Sequence, residues 1–271
     1  MQFETWLINH EVAVRLGCFF AVLLTMMALE IRIPRRQLII PRERRWPNNL
    51  GLVVFNSLLL RLLFPTAAAG MAAYSEQEKL GLFNQLAVAH WIVVVICIIA
   101  LDMVIYWQHV MFHRFPLLWR LHKVHHADLD YDVTTGSRFH PIEIVLSMLI
   151  KFATILILGI PMVAVILFEI ILNAMAMFNH SNIRLPHTWD ALLRKLIVTP
   201  DMHRVHHSRI TTETHSNFGF NLSVWDRLFA TYRAQPSAGH DHIAIGLPNY
   251  DNPTEVVALK GLLIMPFQNN N

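Results

Sequence analysis

Long apolar runs, separated by short polar stretches, make up most of this chain. The first three cover roughly residues 12–31, 50–73 and 83–107, and each is as long as the helix of about 20 residues that crosses a bilayer. A fourth run, residues 142–177, is interrupted at Gly159-Ile160-Pro161, which predicts a hairpin of two passes. These passes are short for a full span, so re-entrant helices are the alternative. The pattern predicts an all-α integral membrane bundle of about four to five membrane helices.

The distribution of arginine predicts how this bundle is oriented. The stretch between the first two runs reads as a basic loop, with arginines at Arg32, Arg35, Arg36, Arg42, Arg44 and Arg45. The positive-inside rule places it in the cytoplasm and the N-terminus outside. The third run then returns to the cytoplasm, and an even-numbered hairpin keeps residue 179 onward there. We therefore expect the polar segments after the third run and after the hairpin to form a cytosolic, histidine-rich helical cap.

Composition excludes several classes of protein. Hydrophobic residues make up 54% of the 271 residues and charged residues only 15%. Soluble domains carry about 25% charged residues, so this composition argues against an ordinary soluble domain. A net charge of +3 is small for a nucleic-acid-binding protein, so we expect no nucleic-acid partner. Cys18 and Cys97 lie in apolar runs, as buried free cysteines do. The first residues lack the basic region of a cleavable signal peptide.

Charged residues inside the apolar runs need a partner or an interface. Arg15 and Glu30 lie near the ends of the first run, where both can reach an interface. Arg61 lies within the second run, so we expect it to face protein or a polar cavity, unless that helix is tilted or partly interfacial. Asp102 precedes His109 by about two helical turns and either orients that histidine or is an acidic residue at the membrane edge.

Histidines are the chemical signature of the chain, which has sixteen of them. Three clusters follow apolar runs: HVMFH with His109 and His113, HKVHH with His122, His125 and His126, and HRVHH with His203, His206 and His207. Residues three or four apart share a helix face, so each cluster can direct its imidazoles to one point. Because a zinc site closes with four ligands, eight histidines suit two metal ions. His180, in FNHSN, is the expected ninth ligand.

The missing motifs narrow the identity of the metal. Imidazole binds Zn, Cu, Fe and Ni alike. Glu143 and Glu169 have no histidine three residues later, unlike the carboxylates of soluble di-iron bundles, and the H-E-x-x-H motif of zinc proteases is absent. A histidine-only site at the mouth of a membrane bundle favours a redox metal pair that activates dioxygen against lipid chains.

The order HVMFH, HKVHH, NHSN, HRVHH, NFG and WDRLFATYR resembles the fatty acid hydroxylase superfamily, also called the sterol desaturase family. The resemblance covers roughly residues 93–233 within a single domain of residues 1–271. It implies a di-iron membrane enzyme that uses dioxygen and two external electrons to hydroxylate or desaturate a lipid C–H bond. The lipid would be a sterol, carotenoid, fatty acyl or alkyl lipid. A separate ferredoxin or cytochrome b5 type protein would supply electrons, and zinc would be a substitute for iron in purified protein.

Carried over residue by residue, the resemblance implies nine ligands: His109, His113, His122, His125, His126, His180, His203, His206 and His207. Some members have a further histidine where this chain has Ala176. The resemblance also implies supporting roles for His140 near the site, for Asn217 in a turn and for Asp226 in docking the C-terminal region.

The remaining histidines have simpler interpretations. His187, His240 and His242 are expected to be solvated, and His215 to be exposed or a polar neighbour of the site. His10 and His90 are expected at the opposite membrane face.

Two other functions fit the same histidines. One is divalent-metal transport and the other is a histidine-rich membrane protein that binds metal without oxidase activity. Transporters place ionisable ligands near the midplane, whereas these clusters follow the runs. The expected location is a bacterial inner membrane, or the endoplasmic reticulum in a eukaryote.

Overall fold

The computed structural model describes residues 2–268, which form helices joined by short turns, with three isolated β-bridges and no strand among these residues. The α-helices are α1 Gln2–Asn9, α2 Glu11–Arg32, α3 Arg42–Leu63, α4 Ala67–Gln77, α5 His90–Arg114, α6 Pro116–His126, α7 Pro141–Leu158, α8 Met162–Asn179, α9 His187–Leu193, α10 Pro200–His206, α11 Thr211–Thr214, α12 Val224–Leu228, α13 Pro253–Val257 and α14 Leu259–Ile264. Short 3₁₀ turns lie at Leu82–Asn84, Thr135–Ser137 and Met265–Phe267. The prediction of an all-α fold is confirmed.

Among the described residues, five segments are long and apolar enough to cross a membrane: α2, the segment Arg42–Asn84 that contains α3 and α4, α5, α7 and α8. At about 1.5 Å per residue, α5 is about 37 Å long, more than the hydrocarbon thickness of about 30 Å. The chain is a multi-pass membrane protein.

The predicted break between α7 and α8 is confirmed. Gly159 ends α7 with φ +68°, a left-handed conformation that glycine adopts without strain, and Pro161 precedes the first residue of α8. The turn is also crowded, because a Cβ on Gly81 would lie 2.1 Å from the Gly159 nitrogen. Each helix of the hairpin has 18 residues.

The core between α4, α5, α7 and α8 is apolar. Leu101 on α5 packs with Phe152 on α7 and with Phe168 on α8 in one buried cluster. Ala68 and Ala72 of α4 complete that cluster with small side chains, which allow close approach of helices.

The basic loop predicted between the first two runs is wrong from Arg42 onward, because α3 begins there. Arg45 is fully buried and forms ion pairs with Asp128 and Asp132 in the segment after α6. Its Nη2 also donates to Oγ1 of Thr135 at 3.2 Å. Acidic partners more than 80 residues away therefore order this part of the loop as helix.

Three charged residues of the apolar runs also differ from expectation. Arg15 points into the bundle and pairs with Glu169 of α8 at 2.9 Å. Glu30 is buried and accepts hydrogen bonds from the backbone N–H groups of Val133 and Asn182. Arg61 is exposed in the last turn of α3, so the expected protein or cavity environment is wrong, and the alternative of a tilted or partly interfacial helix stays a prediction.

Helices α6 and α9 to α14 form a cap at the end of the bundle where α5 and α8 end, whereas α1 packs Leu7 against Val163 near the start of α8. The C-terminal stretch packs Val256, Leu262 and Met265 against Leu52 of α3 and Val124 of α6. Ile264 and Phe267 remain exposed on its other face. A helical cap is therefore present, and its cytosolic location stays a prediction.

Candidate metal centre

The nine histidines of the predicted ligand set come from four helices that meet at the cap. His109 and His113 occupy the last turns of α5, and the HKVHH cluster ends α6. His180 is the C-cap residue of α8, and the HRVHH cluster ends α10. All nine side chains are buried.

These histidines divide into two groups in which one nitrogen of each ring lies within 4.8 Å of all the others. Group A contains His109, His113, His122, His126 and His206, and group B contains His125, His180, His203 and His207. The groups adjoin, because the rings of His126 and His207 stack with centroids 4.5 Å apart. Each sequence cluster contributes to both groups except HVMFH, which belongs to group A alone.

Backbone carbonyls fix the orientation of two rings in group A. Nδ1 of His109 donates to the Phe218 carbonyl at 2.8 Å, and Nδ1 of His206 donates to the Ser216 carbonyl at 2.7 Å. A carbonyl only accepts, so the proton is on Nδ1 and the lone pair is on Nε2. Both Nε2 atoms are buried and have no hydrogen-bond partner.

A carboxylate fixes a third ring of group A. Nδ1 of His122 donates to Oε1 of Glu143 at 2.7 Å, and both side chains are buried. His122 Nε2 then faces the group without a hydrogen-bond partner. A carboxylate behind a histidine is the arrangement that makes an imidazole a more basic metal ligand.

In group B, His180 has the ring whose orientation is fixed by a backbone carbonyl. Its Nδ1 donates to the Ala176 carbonyl at 2.8 Å, which leaves the Nε2 lone pair free. That Nε2 lies 3.1 Å from Nε2 of His125 and 3.1 Å from Nε2 of His203. Three imidazole nitrogens this close need a proton or a cation between their lone pairs. Gly136 permits the packing, because a Cβ there would lie 3.0 Å from Nδ1 of His180.

Burial keeps these imidazoles neutral. It lowers the pKa of His122 to about 3 and that of His180 to about 3. Burial, followed by repulsion from neighbouring histidines, lowers the pKa of His125, His203 and His207 well below the ordinary value. Neutral imidazole is the form that binds a metal. A set of buried, neutral imidazoles whose nitrogens converge in two groups therefore fits two metal ions.

One loop supports both carbonyl-bound histidines of group A. Asn217 has φ +53° and donates through Nδ2 to the carbonyls of Met202 and Arg233. Asp226 accepts the backbone N–H groups of Phe218 and Gly219 at 2.7 and 2.8 Å. Asn217 and Asp226 thus hold the carbonyls of residues 216 and 218 in place.

The other two predicted supporting residues lie further from the histidine nitrogens. Asp102 accepts from the Trp225 indole N–H at 2.8 Å and from the backbone N–H of Leu222 at 3.2 Å, so it docks α12 rather than orienting His109. His140 caps α7 by accepting the Ile142 N–H, and its Nε2 donates to the Leu263 carbonyl at 3.2 Å. Both residues connect segments of the cap.

Histidines outside the two groups mostly follow expectation. His10 is exposed at the start of α2, and His90 pairs with Glu4 at 2.9 Å, both at the end of the bundle opposite the site. His215 is exposed, with its ring centroid 5.4 Å from that of His113. His187 and His242 are exposed, whereas His240 is 6% exposed, so its predicted solvation is wrong.

Sequence reasoning missed Glu143 as the partner of His122, the carbonyls of the 216–218 loop, and Tyr131. Tyr131 is buried, stacks on His180 with centroids 5.6 Å apart, and donates its hydroxyl to the Asn179 carbonyl. Only Glu143 had a local signal, since it follows the His140-Pro141 pair by two residues and begins a membrane helix with a charge.

A cavity of about 370 Å³ opens beside the histidines and extends into the bundle. His109, His122 and His125 line one end. Apolar side chains line much of the rest, including Ile105, Phe112, Phe139, Met148 and Leu172. Its volume and lining suit part of an apolar chain.

A family model described as fatty acid hydroxylase matches residues 94–231, which contain all nine histidines. The chain belongs to the fatty acid hydroxylase family. That membership confirms the predicted resemblance and supports metal binding at the two groups. No solved structure matches the chain.

Several curated proteins are similar to this family member. Ornithine lipid hydroxylase OlsE of Rhizobium tropici is 25% identical over 224 residues, which are 76% of this chain and 65% of that protein. Alkylglycerol monooxygenase of Homo sapiens is 25% identical over 60% of this chain and 34% of its own length. The Xenopus tropicalis alkylglycerol monooxygenase is 30% identical over 49% of this chain and 29% of its own. The chain thus spans less than two thirds of these relatives, whose names support a lipid-modifying oxidase.

Proposed function

We propose that this protein is a di-iron, dioxygen-dependent membrane oxidoreductase that hydroxylates a C–H bond of a membrane lipid. The observation that carries the proposal is the pairing of two buried histidine groups with an apolar cavity at the end of a membrane bundle. Desaturation uses the same first C–H cleavage, but the relatives are named as hydroxylases and monooxygenases, which favours hydroxylation.

The histidines would hold one iron ion in each group, with group A supplying five imidazoles and group B four. When bound, the pair of ions supplies dioxygen activation. The protein's own part is to hold the ligands: Glu143 and the Phe218 carbonyl retain the Nδ1 protons of His122 and His109, which leaves the Nε2 lone pair of each ring available to hold a metal ion. The cavity admits the lipid chain and keeps bulk water from the reacting carbon.

The substrate is inferred to be an amphiphilic membrane lipid. Relatives are named for ornithine lipids and alkylglycerols, both of which join a polar headgroup to long chains. The cavity begins at the histidines and continues between membrane helices, so a lipid can enter while its chain stays in an apolar environment. A separate one-electron carrier of the ferredoxin or cytochrome b5 type is proposed to reduce the metals from the cytoplasmic side.

Metal transport is the second candidate, since the same histidines would bind a divalent ion. Transporters hold ions near the bilayer midplane, within broken helices. Here the two groups lie where α5, α6, α8 and α10 end, and α5 is continuous through the membrane. This position favours the oxidase.

Metal analysis combined with lipid profiling tests the proposal. We expect two iron ions per chain after anaerobic purification, and a new hydroxylated lipid in cells that express the protein. His125→Ala removes a group B nitrogen and should abolish that lipid, while His242→Ala, at an exposed position, should not. Zinc alone with an unchanged lipid profile, or full lipid oxidation by His125→Ala, would contradict the proposal.

A further inference from the structure

The cavity beside the histidines also reaches three charged side chains within the membrane: Arg15 on α2, Lys151 on α7 and Glu169 on α8. We call these the intramembrane charge cluster. Nη2 of Arg15 lies 2.9 Å from Oε2 of Glu169, and the Lys151 ammonium pairs with the other carboxylate oxygen. All three line the same cavity as His109 and His122.

The cluster lies deep in the bundle. Glu169 precedes His180 by eleven residues, which is about 16 Å along α8, and Lys151 follows Glu143 by eight residues, about 12 Å along α7. On α5, the span from His90 to His109 is about 28 Å. Lys151 and Glu169 therefore lie about halfway between the two ends of the bundle, where charged side chains are least favourable, and Arg15 reaches Glu169 from the first turns of α2.

Joining the helices does not by itself explain these charges. Hydrogen bonds between membrane helices contribute little to stability compared with the cost of placing a charge in hydrocarbon. Charges in membrane segments instead characterise sites for ions or ligands, where they face a cavity. The cluster does face one, and the other end of that cavity is the candidate metal centre.

The hydrogen-bonding groups of the cluster that remain unused are donors. Each oxygen of Glu169 already accepts from one cation. The Lys151 ammonium has three N–H groups, and in the part of the chain that the structure describes it makes one ion pair, to Glu169. Glu11 does not line the cavity but pairs with Arg15 at 2.7 Å. The negative charges of Glu11 and Glu169 therefore balance the positive charges of Arg15 and Lys151. A ligand group that accepts hydrogen bonds and carries no charge fits this balance.

We propose that the intramembrane charge cluster binds a hydroxyl or carbonyl oxygen of the lipid and so sets which carbon reaches the histidines. The substrate would carry this oxygen about 15 Å from the reacting carbon, the helical distance between the cluster and the metal centre. Lys151 donates the hydrogen bond, and Arg15 holds Glu169 in place. The binding claim is independent of catalysis, and only the selection of a carbon rests on the proposed function.

Binding of simple probes tests the cluster. Dissociation constants of a long-chain primary alcohol and of the chloroalkane of equal length are measured with the purified full chain in detergent. Lys151→Met removes the donor but leaves Glu169 paired with Arg15. We expect the alcohol to bind about tenfold more weakly to this variant and the chloroalkane to bind as before, as for loss of one hydrogen bond to a charged group. The matched control is Arg61→Met, which removes an exposed basic residue of a membrane helix that does not line the cavity and should change neither constant.

An unchanged ratio of the two constants in Lys151→Met, or an equal loss in Arg61→Met, would overturn the proposal. A measurement on the unaltered protein covers the case in which Lys151→Met does not fold. An alcohol with a photoreactive diazirine next to its hydroxyl should label α7 and α8 near Lys151 and Glu169. Labelling confined to the histidine end overturns the proposal. Neither measurement needs turnover, so absence of a lipid product with intact binding would contradict the proposed function alone.

Discussion

Oε1 of Glu143 accepts the Nδ1 proton of His122 at 2.7 Å, which joins the start of α7 to a candidate ligand on α6. Glu143→Ala should therefore lower metal affinity, because His122 loses the group that fixes its orientation and raises its basicity. We expect a loss of about 10- to 100-fold. Metal titration followed by elemental analysis measures it.

Glu143→Gln tests the same contact more finely, because its amide oxygen can still accept the Nδ1 proton. It should keep more metal than Glu143→Ala. Glu43→Gln changes an exposed residue of α3 and serves as the control. Equal metal affinity in all three variants would show that the contact does not support the ligand.

Gly219 follows the 216–218 loop and allows the backbone there to approach Asp226. A Cβ at this position would lie 2.6 Å from Oδ2 of Asp226, so Gly219→Ala should displace the carbonyls that orient His109 and His206. We expect about 1–3 kcal/mol lower stability, as for overpacking, together with reduced metal content. Gly17→Ala adds the same methyl group where no atom lies within 4 Å and should be harmless. Unfolding of both variants in detergent is the measurement, and equal stability would contradict the role of the loop.

Arg45 neutralises two buried carboxylates, those of Asp128 and Asp132. Arg45→Met should cost about 3–5 kcal/mol, because it removes the ion-pair partner of the buried Asp132 and leaves Asp128 paired with Arg138 at 3.7 Å. Arg44→Met, at the exposed neighbouring position, should be close to neutral. Thermal unfolding of the two variants separates these outcomes, and a midpoint for Arg45→Met within a degree or two of the control would refute the expectation.

His240 makes the protein sensitive to mild acid. Burial lowers its pKa to about 4, against the opposing effect of Asp201, whereas the unfolded chain takes up this proton near the ordinary pKa of about 6.5. The unfolded state therefore binds more protons between these values, and stability falls as pH decreases from about 6.5 to 4. His240→Gln should lose about 2 kcal/mol less than the unaltered protein between pH 7 and 5. His242→Gln, which changes an exposed residue, should not show this protection; identical acid profiles for the two variants would refute it.

The helices and the candidate ligands were predictable because their signals are local. The Gly159–Pro161 break is visible in three consecutive residues, and the spacing of HVMFH and HKVHH places imidazoles on shared helix faces whatever the rest of the chain does. His180 has no cluster of its own; it was expected as the ninth ligand in FNHSN after the hairpin, and the family motifs then matched it.

Contacts between distant segments were not predictable. The sequence predicts that Arg45 belongs to a basic loop, and only the fold shows its ion pairs with Asp128 and Asp132. The sequence likewise predicts that Arg15 lies at an interface, and only the fold shows its ion pair with Glu169. The Phe218 carbonyl leaves no trace in the sequence, because every residue has a carbonyl and only the fold brings this one to His109.

The division of the histidines into groups A and B has a consequence for biosynthesis. Group A requires His206, and group B requires His203 and His207, so neither group is complete before α10 leaves the ribosome. Within residues 2–268, all five candidate membrane segments precede α10 in the chain. A nascent chain that stalls during insertion therefore has neither histidine group complete, and binding of metal at both groups would report that the whole bundle is in place.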